Sequence, residues 1–80
     1  MELDILKKAI TRVLQVYVLE INEDSTFGGD LGADSIDMMQ IFQCVEQELG
    51  IHIKDVDLEK VITVRDALHV IMDAIGKNNV

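Results

Sequence analysis

The sequence predicts an all-α fold, a small four-helix bundle of three longer helices and one short helix, with a long loop between the first two. Three observations predict it. Apolar residues recur at spacings of three and four across residues 3–17, 35–49 and 63–76, the period of a helix with one buried face. No stretch alternates for long enough to make a strand, since Ile51-His52-Ile53 is too short to count. Helix-start residues stand where the periodic stretches begin, Asp34 before the second and Thr63 before the last. A chain of 80 residues supports one small core, so residues 1–80 read as a single domain without internal repeats.

The first helix is expected over about residues 3–17, with Leu3, Leu6, Ile10, Val13, Leu14 and Tyr17 on one face. The apolar run Tyr17-Val18-Leu19 then either extends this helix inward, the favoured reading, or makes a small partner contact. A long loop follows to Asp34, with Ile21, Phe27 and Leu31 as the pegs that fasten it to the core; loops of this length in a compact domain are usually functional or held by their own side chains. The second helix, over residues 35–49, turns Ile41, Val45 and Leu49 inward, flanked by Met38, Met39 and Phe42, and Gly50 fits its C-cap. A short third helix is expected over residues 55–61, capped by Asp55 or Asp57 and packing Leu58 and Val61. Thr63-Val64-Arg65-Asp66 is a variant capping box, with Asp where Glu or Gln is usual. It opens the last helix, which runs to about residue 76 with Val64, Ala67, Leu68, Ile71, Met72 and Ile75 inward. The chain has no proline, so helix ends must come from caps and from Gly or Asn.

Composition narrows the function. The hydrophobic fraction is 49% but aromatics are only 4%, so the core is built from Leu, Ile, Val, Ala and four adaptable Met. Net charge is −8, and residues 20–59 hold eleven acids against the single base Lys54. A nucleic-acid partner is not expected, because phosphate backbones need a basic footprint. Such acidity favours partners with basic patches and speeds their encounter at low ionic strength. No stretch has the apolar length of a membrane span, and the start of the chain lacks the pattern of a secretory signal, so a cytoplasmic location is expected. The lone Cys44 excludes an internal disulfide; with no Lys, Arg or His within three residues it reads as a partly buried packing residue. No metal site is expected. His52 and His69 belong to no ligand cluster, and the acidic loop from Asp24 fails as a calcium loop, with Gly28 at loop position 5 and Ser35 where the bidentate Glu belongs.

The chemistry concentrates in Leu31-Gly32-Ala33-Asp34-Ser35-Ile36-Asp37. The spacing puts Ser35 in the first turn of a helix with Asp34 as its N-cap. First-turn N–H groups lack intrahelical partners and the helix dipole there favours negative charge, so a phosphate on that hydroxyl would be well placed. No His stands near it in sequence and no triad pattern is present. A serine modified by another enzyme needs exposure and a docking surface, not local activation. Most serines at such positions merely start a helix, and on the residues alone that reading stays open.

Asp34-Ser35-Ile36, within Leu-Gly-Ala-Asp-Ser-Ile-Asp, resembles the Asp-Ser-Leu motif of acyl carrier proteins. Phe27, the Asp30-Leu31-Gly32 lead-in, Glu46-Gln47-Glu48-Leu49-Gly50-Ile51 and Thr63-Val64-Arg65-Asp66-Ala67-Leu68 fall in the family's order and spacing, and the likeness covers residues 6–71. The resemblance implies a carrier that is not itself an enzyme. Ser35 would bear 4′-phosphopantetheine, derived from coenzyme A and attached by a phosphopantetheinyl transferase, and the arm would hold acyl groups as thioesters for fatty-acid or related lipid or polyketide synthesis. It further implies docking of acyl-transfer and synthase enzymes, through basic patches, on a face carrying Ile36, Asp37, Gln40, Gln43, Glu46 and Gln47. A monomer is expected. Packing suggests Phe27, Met38, Ile41, Val45, Leu58, Val61 and Leu68 as residues lining an acyl pocket.

The chain departs from the family pattern at the unusually apolar Tyr17-Val18-Leu19 and in three further places. Gln40 and Gln47 stand where acids are common, Gln43 where an apolar residue is common, and Lys54 where proline often follows Ile. The first two of these three suggest a specialised carrier with a narrower partner set, against neutral drift at exposed polar positions. The third suggests a more mobile loop into the short helix. The rival readings are a peptidyl or other specialised secondary-pathway carrier and, from a different class, an unmodified acidic helical adaptor in which Ser35 only starts a helix.

Overall fold

The computed structural model describes residues 1–78, and these fold into three α-helices joined by two loops that each contain one 3₁₀ turn. Helix α1 spans Glu2–Leu14, α2 spans Ser35–Leu49 and α3 spans Val64–Asn78, with 3₁₀ turns at Val18–Glu20 and Leu58–Lys60. Among the described residues there is no strand; the one bridge is an isolated antiparallel pair between Thr26 and Thr63.

Helix α1 lies against α2 and α3 and buries Leu6, Ala9 and Ile10. They meet Met38, Ile41, Phe42 and Val45 of α2 and Val64, Ala67 and Ile71 of α3 in one core. At roughly 25 cal/mol per Å² of apolar area removed from water, this apolar cluster is the main term holding the bundle. Ile21 and Phe27, at 3% and 2% exposure, peg the first loop into it as the sequence predicts, with Leu31 packed alongside. Cys44 is half-buried against the same core.

The first loop is fastened chiefly to the start of α3. The Val64 and Arg65 backbone N–H groups donate to the Ser25 and Glu23 carbonyls, each at 2.9 Å, and the Phe27 N–H donates to the Ile62 carbonyl. Arg65 adds ion pairs to Glu23 at 3.6 Å and to Asp24 at 2.6 Å. The Asp24 bond, together with its charge, raises the Arg65 pKa. The Thr63–Asp66 capping box forms as its sequence indicates, with the Asp66 N–H donating to Thr63 Oγ1 at 3.1 Å and the Thr63 N–H donating back at 3.0 Å.

Three expected elements are corrected. The first helix stops at Leu14, not at residue 17, because Gln15 takes a left-handed conformation (φ 57°) and returns its N–H to the Thr11 carbonyl. Beyond it the β-branched Val16 and Val18 add little helix propensity, and Tyr17 and Leu19 are 77% and 96% exposed rather than turned inward. The short third helix contracts to the single 3₁₀ turn Leu58–Lys60, capped by Asp57, whose carboxylate accepts the Glu59 N–H. Asp55 cannot start a helix there because it sits at φ 59°. Met39 and Met72, placed on inward faces by spacing, are 52% and 53% exposed. The inward face of α3 runs instead through Val64, Ala67, Ile71 and Ala74.

Candidate functional site at the start of helix α2

The approach to α2 is a tight turn held by side chains. The Asp30 N–H donates to Thr26 Oγ1 at 2.9 Å while Asp30 Oδ2 accepts the Thr26 N–H at 2.8 Å. Gly32, at φ 72°, supplies the left-handed step that brings the chain round to Asp34. Asp34 is extended and caps α2: its Oδ1 accepts the Asp37 N–H at 2.8 Å, and Asp37 Oδ2 accepts the Asp34 N–H at 3.1 Å.

Ser35 is therefore the first residue of α2, and its side chain is exposed. Among the described residues nothing hydrogen-bonds to its hydroxyl, and the N–H groups of Ser35 and Ile36 have no protein partner. The contrast with α3 is direct, since there the first N–H groups are filled by the loop carbonyls of Ser25 and Glu23. The start of α2 thus offers a nucleophile-bearing side chain beside two open donors and the positive end of a helix dipole. Nothing hydrogen-bonded to Ser35 can take its proton. The site presents a hydroxyl without activating it.

The expected docking residues divide in two. Ile36, at 65% exposure, and Gln40, Gln43 and Gln47 lie open to solvent, and exposed Met39 joins them. Asp37 is half-buried in the capping box. Glu46 is also half-buried: its Oε2 accepts the Ile53 N–H at 2.8 Å, tying the last turn of α2 to the following loop. Neither carboxylate is a free surface group. Sequence spacing missed the exposure of Met39, because a methionine beside the core face of a helix carries no mark of which way it turns.

The expected acyl-pocket residues also divide. Phe27, Met38, Ile41, Val45 and Val61 are buried in the closed core, while Leu58 and Leu68 are half-buried against it. Two grooves open elsewhere. One, of about 250 Å³, lies between α2 and the second loop and is lined by Met39, Phe42, Gln43, Ile53, Val56 and Leu58 together with Asp55. The other, of about 700 Å³, lies between that loop and α3, over a floor that includes Val56, Val61, Val70 and Ala74. Leu58 borders the first groove and Val61 the second; the other five expected lining residues border neither. Among the described residues no cluster of three or more His, Cys, Asp or Glu could hold a metal, and no helix is long and apolar enough to cross a membrane.

The family described as "Phosphopantetheine attachment site" matches residues 4–71. The chain is 39% identical over 76 residues to the acyl carrier protein of Cyanidium caldarium, covering 91% of this chain and 88% of that one. It is 39% identical over 62 residues to the acyl carrier proteins of Nitratidesulfovibrio vulgaris (strain DP4) and Solidesulfovibrio magneticus, covering 78% of this chain and 82% and 80% of theirs. Fold, helix-start serine and relatives agree on a carrier of a covalently attached arm. The chain belongs to the acyl carrier protein family, whose prosthetic group is 4′-phosphopantetheine. The start of α2 fits that group, with an exposed hydroxyl to esterify and two open N–H donors beside the position a phosphodiester would take.

Proposed function

We propose that Ser35 Oγ is the attachment atom of 4′-phosphopantetheine, and that the chain carries acyl groups between enzymes without catalysing a reaction itself. The observation that supports this most is the exposed, unpartnered Ser35 at the first position of α2, beside the open N–H groups of Ser35 and Ile36. Those donors and the helix dipole favour the negative charge of a phosphodiester at this point. Asp34 and Asp37 hold the helix start in one geometry through reciprocal bonds, so Ser35 is presented in a fixed direction. With no base bonded to its hydroxyl, the proton is removed by the modifying phosphopantetheinyl transferase. When bound, the group supplies a terminal thiol that carries the acyl cargo as a thioester. Tethering then raises the local concentration of the cargo at each enzyme visited.

Partner enzymes meet the α2 face through Ile36, Met39, Gln40, Gln43 and Gln47. The surrounding acidity, concentrated over residues 20–59, steers partners with basic patches toward it. The test is the intact mass of the purified protein after incubation with coenzyme A and a broad-range phosphopantetheinyl transferase. Wild-type protein gains one phosphopantetheine and Ser35→Ala gains none. A gain on Ser35→Ala, or a folded wild-type protein that stays unmodified with several transferases, overturns the assignment.

A further inference from the structure

The approach to Ser35 is tied to α3 through one residue. Phe27 uses both of its backbone groups: its N–H donates to the Ile62 carbonyl at 2.9 Å, and its carbonyl accepts the Ala33 N–H at 2.8 Å. Ala33 stands two residues before Ser35, so two hydrogen bonds lead from the start of α3 to the residue that delivers the Asp34 cap. The Ile62 bond is one rung of a short antiparallel ladder. The other rungs run from the Val64 N–H to the Ser25 carbonyl and from the Arg65 N–H to the Glu23 carbonyl, each at 2.9 Å. Side chains of the first turn of α3 grip both ends of this ladder. Asp66 Oδ2 accepts the Ile62 N–H at 3.1 Å, and Arg65 reaches Asp24 at 2.6 Å and Glu23 at 3.6 Å.

The loop transmits a displacement more readily than it absorbs one. From Thr26 onward it closes on itself, with the Leu31 N–H donating to the Thr26 carbonyl at 3.0 Å and Asp30 exchanging bonds with Thr26. Residues 26–33 therefore move as one piece, and a shift of residues 23–25 against α3 reaches Ala33. Helix α2 itself is held in the core by Met38, Ile41, Phe42 and Val45, so its first turn lies ahead of its buried residues. That turn depends on the Asp34–Asp37 exchange, and so on where Ala33 places Asp34. The side chains of Arg65 and Asp24 are 46% and 80% exposed, and ion pairs this open add little to the folding equilibrium. The contact is thus better suited to fixing a position than to holding the fold. On the carrier reading above, we propose that Arg65 is a positioning residue for attachment of the arm. By gripping Asp24 and Glu23 it fixes the loop, the Asp34 cap and hence the direction in which Ser35 Oγ is presented. Arg65 touches neither the cofactor nor the reacting atoms. Its effect falls on the rate of transfer within the docked complex, where reacting atoms must stand about 3–3.5 Å apart. Docking itself rests on Ile36, Met39 and Gln43 of α2.

The experiment follows transfer of phosphopantetheine from coenzyme A to full-length wild type, Arg65→Ala, Arg65→Lys, Asp24→Ala and the Arg65→Ala, Asp24→Ala double variant, all at a temperature where they are folded. Amide hydrogen exchange at Ala33 and Asp37 is read on the unmodified proteins. Arg65→Ala lowers the transferase kcat about fivefold, the upper end of what an exposed ion pair contributes, and leaves KM unchanged. It speeds exchange at Ala33 and Asp37 by a similar factor. Asp24→Ala does the same to a smaller extent, because Glu23 still meets Arg65. The double variant falls no further than Arg65→Ala, as two residues acting through one contact require. Arg65→Lys keeps the charge without the planar fork and falls between. At about 1 M salt, where the Debye length is about 3 Å, the ratio of wild-type to Arg65→Ala kcat approaches one. If Arg65→Ala does not fold, Asp24→Ala and the salt series decide the matter. A folded Arg65→Ala with wild-type kcat and wild-type exchange, or a loss confined to KM, overturns the positioning role while leaving the carrier reading intact. A wild type that accepts no arm at all overturns both.

Discussion

Asp34 and Asp37 cap each other's backbone: Asp34 Oδ1 accepts the Asp37 N–H at 2.8 Å, and Asp37 Oδ2 accepts the Asp34 N–H at 3.1 Å. Two like charges three residues apart are held together because each satisfies an amide that has no other partner, and both sit at the positive end of α2. Ser35 lies between them. The pair therefore serves stability and presentation at once, and the two roles separate by mutation. Asp34→Ala should cost about 1 kcal/mol of stability, the usual effect of losing an N-cap, read from urea denaturation. It should also slow phosphopantetheine transfer to Ser35 under conditions where the variant is fully folded. Asp34→Asn, which keeps the acceptor oxygen, should recover most of both. A fully folded Asp34→Ala with unchanged transfer rate would limit the pair to a structural role.

The second box, at the start of α3, makes stability depend on pH. The Asp66 carboxyl is held below the usual carboxylate range, first by the backbone N–H groups of Thr63 and Ile62, then by the Thr63 hydroxyl and the charge of His69. Because the folded pKa is lowered, the charged form stabilises the native state. That contribution is complete above the ordinary value of about 3.9 and is lost as the pH falls through the lower folded value. Wild type and Asp66→Asn should thus differ by a constant amount near neutral pH and converge in strong acid. Denaturation midpoints measured across that range check it, and a gap that persists unchanged into strong acid would contradict the assignment.

Two adjacent glycines in the loop before Ser35 make opposite predictions. A Cβ on Gly29 would stand 2.9 Å from Thr26 Oγ1, the atom that accepts the Asp30 N–H, whereas a Cβ on Gly28 would meet nothing within 4 Å. Gly29→Ala should therefore break the Thr26–Asp30 exchange and destabilise by about 0.5–1.5 kcal/mol, the worth of one such bond. Gly28→Ala should be neutral or stabilise by up to about 1 kcal/mol through the unfolded state. Paired urea titrations read both, and equal effects at the two positions would refute the contact.

Much of this was legible because the decisive interactions are local. Asp34 as N-cap, Gly50 as a left-handed C-cap at φ 65° and the Thr63–Asp66 box each join residues a turn apart, so their spacing announces them. What escaped is either non-local or unmarked by residue type. Arg65 and Asp24 are 41 residues apart, and nothing near either one indicates that the first loop is tied to α3. Glu46 reads as one more exposed acid until the fold carries Ile53 over it. Gln15 and Asp55 end or prevent helices by taking positive φ without being glycine, and no pattern of apolar residues reports that. The core face of α2 was readable from its period, but the grooves were not. They depend on where the second loop lies, and the loop has no period.

The exposed face of α2 carries amides at Gln40, Gln43 and Gln47, and negative charge can be introduced there. Gln40 and Gln47 are both exposed, so a carboxylate at either position stays solvated and is free to meet a basic partner. Each new exposed ion pair should add about 0.2–1 kcal/mol to binding, most of it through a faster association that salt suppresses. Gln47 lies near the C-terminal end of α2, where the helix dipole disfavours negative charge. The Gln40→Glu, Gln47→Glu double variant should therefore bind a phosphopantetheinyl transferase with a basic docking patch more tightly at low salt, converge with wild type at high salt, and be slightly less stable. Titration calorimetry at two salt concentrations, with denaturation run alongside, separates these effects. An unchanged Kd at both would mean that the two amides do not restrict partner choice, the outcome expected of neutral drift at exposed polar positions.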